Sequence, residues 1–220
     1  MRTDLLRKTV LTAAGAAFLG GALAGPATAF AAPADKPAVQ ADRKGDRKGG
    51  DKNRELDVRY EAQPNFYYCG PAAARNALSV QGKDIDVDSM AERMGTTEAG
   101  TDSINDITPV LNKETGKDVY RSVEISDAKA DEKQTDKLRE DVMRTVDDGR
   151  AVVANIAGTA YDTDGGVHSF EGGHYISVTG YRDGGHQVKI ADSANPDTAE
   201  YWMTTDALAD WIATRGYSTS

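Results

Sequence analysis

Residues 172–192 read GGHYISVTGYRDGGHQVKIAD. From His174 to Tyr181, His, Ile, Val and Gly alternate with Tyr, Ser, Thr and Tyr, the two-residue period of a strand. Asp183-Gly184-Gly185-His186 has the composition of a tight turn, and Gln187 to Asp192 returns as a second strand. The hairpin predicts an antiparallel sheet in the C-terminal half. Upstream of it, Ala151 to Ala157 is a short, β-rich apolar run, and Tyr161 to Gly173 reads as a polar, Gly-rich loop.

The first half of the folded region has a different texture. Pro71 to Val80 is Ala-rich, with Pro in the first helical turn, where its missing N–H costs nothing. Ser89-Met90-Ala91-Glu92 has capping-box spacing, with Met90 and Met94 on one face of a short helix. Thr101-Asp102 predicts the cap of a helix carrying Ile104, Ile107 and Leu111, which Pro109 should bend or shorten. Val119 to Ile125 alternates as a strand does. Leu138, Val142 and Val146 recur every four residues in an amphipathic helix over 131–148, ended by Gly149. A final helix is capped at Thr204 or Thr205, carries Leu208, Trp211 and Ile212, and stops before Gly216. Helices first and antiparallel strands after them predict an α+β fold, with the N-terminal helical part packed on a C-terminal sheet.

Outside this region the chain changes character twice. Arg2, Arg7 and Lys8 precede an uncharged run from Val10 to Leu23, followed by small residues at Ala27-Thr28-Ala29 and Ala31-Ala32. This order predicts a secretory signal peptide over 1–32, cleaved after Ala29, Ala31 or Ala32. The run is too short and too rich in Gly and Ala to span a bilayer well, so no stable membrane anchor is expected after cleavage. Arg7-Lys8 is not a twin-arginine pair, which favours the general export route and a secreted, extracellular protein. Residues 33–55 mix charges with Gly and hold Val39 as their sole large aliphatic residue, the composition of a disordered linker or pro-segment. Gly49-Gly50 within it raises the idea of self-processing.

The whole chain of 220 residues carries 26 basic and 35 acidic side chains, a net charge of −9. Residues 56–220 hold 16 of those bases and 29 of those acids. A domain this acidic argues against nucleic acid as a partner. One Cys excludes an intramolecular disulfide framework and a Cys-rich zinc site. No cofactor is expected, and the domain is taken as a monomer.

Four residues suit chemistry. Cys69 directly precedes the Ala-rich helix, where unpaired N–H groups and the positive dipole end favour a thiolate. A buried inert Cys or an intermolecular disulfide are the plain alternatives. His174 opens the hairpin after two glycines, a fixed place for a general base. Asp192 ends the returning strand, within reach to orient an imidazole; Asn195 is the second choice for that role. Gln63 lies six residues before Cys69, and its amide together with the Cys69 N–H could form the two donors of an oxyanion hole.

Gln63-x5-Cys69-Gly70-Pro71-Ala72-Ala73, Gly173-His174-Tyr175 with Gly180-Tyr181, and Ala191-Asp192-Ser193 together resemble the C39-like cysteine peptidases, which are papain-like enzymes. The resemblance spans most of residues 57–215 and includes Gly100-Thr101 and a late strand at Tyr201-Trp202. It implies a papain-like fold, with Cys69 as nucleophile, His174 as base, Asp192 as orienter and Gln63 in the oxyanion hole. A peptide or protein is the implied substrate, with Tyr68, Gly173 and Trp202 as weaker candidates for contacting it. Two departures stand out: the aromatic Tyr67-Tyr68 approach to the Cys, and the lack of any membrane domain or Walker motif. The same residues also suit transglutaminase-like acyl transfer or deamidation, or a silent papain-like fold used for binding.

Weaker signals remain. Asp162, Asp164 and Glu171 sit in the Gly-rich segment, but the spacing of a calcium loop fails. His168, His174 and His186 have no spacing that suits zinc, so no metal site is expected.

Overall fold

The computed structural model describes residues 53–220. The segments expected as an export signal and as a linker up to residue 52, with Gly49-Gly50, lie outside the described residues. Seven strands form one antiparallel sheet: β1 (Arg54–Glu55), β2 (Arg121–Glu124), β3 (Val152–Tyr161), β4 (Val167–Arg182), β5 (Gln187–Ala191), β6 (Glu200–Thr204) and β7 (Gly216–Thr219). The order across the sheet is β2-β7-β3-β4-β5-β6, with β1 added alongside β4. Five helices accompany it: α1 (Cys69–Ser79), α2 (Val87–Met94), α3 (Ile104–Thr115), α4 (Glu132–Asp147) and α5 (Thr205–Ile212). Among the described residues no helix is long and apolar enough to cross a membrane.

The two faces of the sheet bury separate apolar sets. On one, Ala73, Ala77 and Leu78 of α1 pack with Met90, Ile107 and Leu111 against Val153 and Tyr175. On the other, Leu138, Val142 and Val146 of α4 join Leu208 and Ile212 of α5 over Ile176, Val178 and Ile190. Each of these large aliphatic side chains, once removed from water, contributes about 1.5–3 kcal/mol. The helical part therefore packs on the sheet as expected, and α4 and α5 cover its opposite face.

Several local expectations are corrected. The segment read as a loop from Tyr161 to Gly173 is mostly sheet: β3 runs on to Tyr161 and β4 begins at Val167, with Ala160 opposite His168. Only 162–166 turn, held by Asp162, whose carboxylate accepts from the N–H groups of Asp164 and Gly166. Asp86, not Ser89, caps α2, accepting from the Ser89 N–H at 2.9 Å. Ser103 rather than Thr101 or Asp102 caps α3, in a capping box closed by Asp106. Pro109 does not shorten α3, because the carbonyl that it leaves without a donor belongs to exposed Asn105. Arg54–Glu55, expected at the end of the linker, pair with Gly180 and Tyr181, so the folded part starts before residue 56. Strand β7 has no counterpart in the expectations; it joins β2 to β3.

Candidate active site

Cys69 is the first residue of α1 and is buried. Tyr68 occupies the N-cap position, and no side chain caps the helix. The first backbone N–H groups of α1 are thus left to meet the thiol end of the helix, where a negative charge is favoured. Pro71 has no N–H to satisfy, and Gly70 permits close packing: a Cβ there would lie 2.4 Å from the Thr101 hydroxyl oxygen.

Across from the helix end, β4 and β5 supply the polar pair. Ser177 pairs with Ala191, which sets Asp192 diagonal to His174. His174 Nε2 lies 2.7 Å from Asp192 Oδ1, and both residues are at most 4% exposed. Asp192 accepts two further bonds, from the Ala194 N–H at 3.0 Å and from the Tyr201 hydroxyl at 3.0 Å. With Nε2 engaged, Nδ1 is the second ring nitrogen, and Cys69 lies close enough to raise the imidazole.

The electrostatics follow from these contacts. Burial alone would depress the His174 imidazole, but the hydrogen bonds and negative charge of Asp192, then of Cys69, outweigh it and push it up to about 9. Burial alone would raise Asp192; the His174 ring, the Ala194 N–H and Tyr201 reverse that and hold it below the ordinary carboxylate value. Together they form a buried, mutually stabilised charge pair.

Aromatic rings shield the pair. Phe170 stacks on His174 with ring centroids 4.0 Å apart, and His168 stacks on Tyr201 at 3.8 Å. Trp211 flanks both, and its indole N–H donates to the Gly158 carbonyl. Phe170 and Tyr201 are the residues that sequence reasoning left out of the site. Tyr201 was read only as part of a strand, and Phe170 lay in the supposed loop. The alternation Val167-His168-Ser169-Phe170 was the signal for Phe170, obscured by neighbouring Gly and Glu.

Gln63 is fastened to the segment that follows Asp192. Its N–H donates to the Ser193 carbonyl at 2.9 Å, and its side-chain oxygen accepts from the Ser193 hydroxyl at 3.1 Å. Its amide nitrogen donates one hydrogen to the Asn65 carbonyl at 2.8 Å, leaving the second unused. Gly173, just before His174, has φ +95°, and the Arg215 guanidinium comes within 3.3 Å of where its Cβ would stand. Tyr68 packs edge-on against Tyr67, and its phenol is raised above its ordinary value, chiefly by Asp88 on α2.

Other candidates sit elsewhere. Trp202 lies on the face of β6 opposite Tyr201, beneath the Arg182 guanidinium at 4.3 Å, so Tyr201 takes the place expected of it beside the site. Asn195 caps a short 3-10 turn through the Asp197 N–H rather than orienting His174. Asp162 pairs with His168, whereas Glu171 accepts from Thr159 and Ser169. His186 stands apart beside Arg139. Among the described residues no cluster of His, Cys, Asp and Glu is arranged to hold a metal ion.

A search of curated proteins finds no match. Solved structures do match. A protein from Bacillus anthracis described as a C39-like peptidase superposes with a TM-score of 0.53 at 13% identity, over 77% of this chain and 98% of that one. The peptidase domain of Streptococcus ComA, a bi-functional ABC transporter, gives 0.49 at 16% identity, over 74% and 98%. The former likeness, with the helices and antiparallel sheet described above, makes the fold α+β and papain-like. The model of the Peptidase_C39 like family matches residues 55–219, which contain Gln63, Cys69, His174 and Asp192, and the chain belongs to that family of cysteine peptidases.

Proposed function

We propose that the chain is an exported cysteine peptidase that cuts peptide bonds through Cys69, His174 and Asp192. The buried His174–Asp192 contact of 2.7 Å, set against a thiol at a helix N-terminus, carries the reading. An imidazole held at about 9 is a cation at neutral pH, and a cation there is the natural partner of a thiolate. The thiolate attacks the substrate carbonyl. The Cys69 N–H and the unused Gln63 amide hydrogen receive the oxyanion. His174 then gives its proton to the departing amine, leaving a thioester on Cys69. Water, deprotonated by His174, hydrolyses that thioester and restores the thiol. Asp192 keeps the ring oriented throughout and favours its charged form, and Tyr201 and Ala194 hold Asp192 itself.

Cys69→Ala should abolish both turnover of a peptide library and labelling by an iodoacetamide probe, while leaving the folded state in place. Hydrolysis persisting in that variant ends the assignment. Product analysis with an added amine separates hydrolysis from acyl transfer. Secretion is checked by the N-terminal sequence of the protein recovered outside cells, expected to begin after Ala29, Ala31 or Ala32.

A further inference from the structure

A cavity of about 400 Å³ has walls that include Asp102, Ser103, Glu124, Ser126, Asn155 and Arg215, and Arg215 links it to the segment before His174. Arg121, Arg144 and Arg150 each close an ion pair with a carboxylate. Half-buried Arg215 closes none among the described residues, and no side-chain hydrogen bond engages it there. Its backbone is nevertheless fixed. The N–H donates to the Ile212 carbonyl at 2.8 Å, and the carbonyl accepts from the Ile125 N–H at 2.9 Å. Thr214 before it is held at φ 65°, an uncommon conformation for Thr that sets the direction of the next residue. The guanidinium is thereby laid against Gly173, one residue from His174, in space that a side chain at 173 would fill. Buried Tyr175 senses the charges of Cys69, Asp106, Arg215 and Asp102, so the thiol, the guanidinium and two carboxylates lie around one phenol.

An aimed, half-dehydrated guanidinium without a carboxylate is a receptor for one. Asp102 and Glu124 also line the cavity but are both exposed, and Glu124, paired with Gly216 next to Arg215, accepts from the Asn105 side-chain amide. Resting on the peptidase reading, we infer that Arg215 is a specificity-determining residue: it binds a carboxylate of the peptide substrate, seated in this cavity beside the cleaved bond. The carboxylate comes from an Asp or Glu side chain or from the free end of the peptide.

Binding tests this apart from turnover. The full chain carrying Cys69→Ala is titrated with peptide pairs that differ by Glu against Gln at successive positions, each made with a free and an amidated C-terminus. At one position the Glu peptide should bind about tenfold or more tighter. Adding Arg215→Gln should erase that preference, Arg215→Lys should restore part of it, and Arg215→Glu should turn it toward Lys peptides. A preference confined to free C-termini assigns the carboxylate to the chain end. Equal affinity of Glu and Gln peptides for both termini, absence of binding, or a preference that survives Arg215→Gln in a folded variant overturns the inference. Turnover of the library by the wild-type chain is read separately, so failure of the peptidase reading is distinguishable from failure of the Arg215 assignment.

Discussion

Asp192→Asn removes one charge from the site and almost no volume. The Asn oxygen can still accept from His174 Nε2 and the Ala194 N–H, and the Tyr201 hydroxyl can turn to accept from the new NH₂. What is lost is the negative charge that, with Cys69, offsets burial and lifts His174 from 6.5 to about 9. In the variant the imidazole should titrate near or below 6.5. At pH 7.5 the protonated fraction then falls from about 97% to about 9% or less, a loss of about tenfold in the charged pair. The sign for stability follows. A value raised by folding stabilises fully below pH 6.5, and that stabilisation fades as pH climbs through about 9. Its size is about 3 kcal/mol for the pair counted once. Asp192→Asn should therefore be most destabilising near pH 6, by about 3 kcal/mol, and the deficit should shrink by pH 9.5. Urea unfolding at the two pH values reads the stability, and an imidazole NMR titration reads the ring. A deficit of equal size at both pH values, or a ring that still titrates near 9, refutes the reasoning.

Tyr201→Phe deletes one donor to Asp192 and should cost about 1.5–3 kcal/mol by urea unfolding while raising the titration point of Asp192. Gly70→Ala sets a methyl against the Thr101 hydroxyl, so its melting point should fall by the equivalent of about 1–3 kcal/mol. Adding Thr101→Ala should recover part of that loss, and no recovery would count against the packing account. Buried Asp141 on α4 pairs with Arg121, Lys137 and Arg144 and accepts from Tyr217. Burial alone would raise it, but Lys137, Arg144 and Tyr217 hold it below its ordinary value, so its stabilisation is present above pH 3.8 and lost as pH falls through the folded value. Asp141→Ala should cost about 3 kcal/mol at neutral pH and less in acid unfolding.

The hairpin and the amphipathic α4 were legible because each carries one clear period. His174 and Asp192 were legible as strand-end residues, but a bulge between Val178 and Gly180 is what sets Asp192 diagonal to His174 on one face. The long β3–β4 extension was not, because one side of its outer half is covered only by Ala160, His168 and Phe170 while the other side, with Ser169 and Glu171, is exposed, so no run of aliphatics marks it. With it went Phe170, whose ring matters through stacking on a residue four positions ahead. The caps of α2 and α3 were misplaced by one to three residues, because Asp86, Ser89, Thr101, Asp102 and Ser103 all have side chains able to accept from a helix N–H. Choosing among them takes the backbone angle at the cap. Arg215 carried no local signal at all: its meaning comes from Gly173, far away in sequence.

Sequence proximity explains neither the Cys69–His174 encounter nor its accuracy, since the two residues belong to different layers. Three buried or half-buried contacts fix it. The Ser177 hydroxyl donates to the Ala73 carbonyl at 2.7 Å, tying the first turn of α1 to β4 three residues past His174. Gly70 lets the same turn sit against Thr101, whose carbonyl accepts from the Tyr175 hydroxyl at 3.2 Å. Gln63 grips Ser193, next to Asp192, with both its backbone and its side chain. Each contact joins the helical layer or its leading segment to the strands that bear the imidazole and the carboxylate, from a different side. A thiol at a helix end and a His–Asp pair on a sheet are common things separately. Bringing them together depends on these three ties, so the geometry of the site resides as much in Ser177, Thr101 and Ser193 as in Cys69, His174 and Asp192.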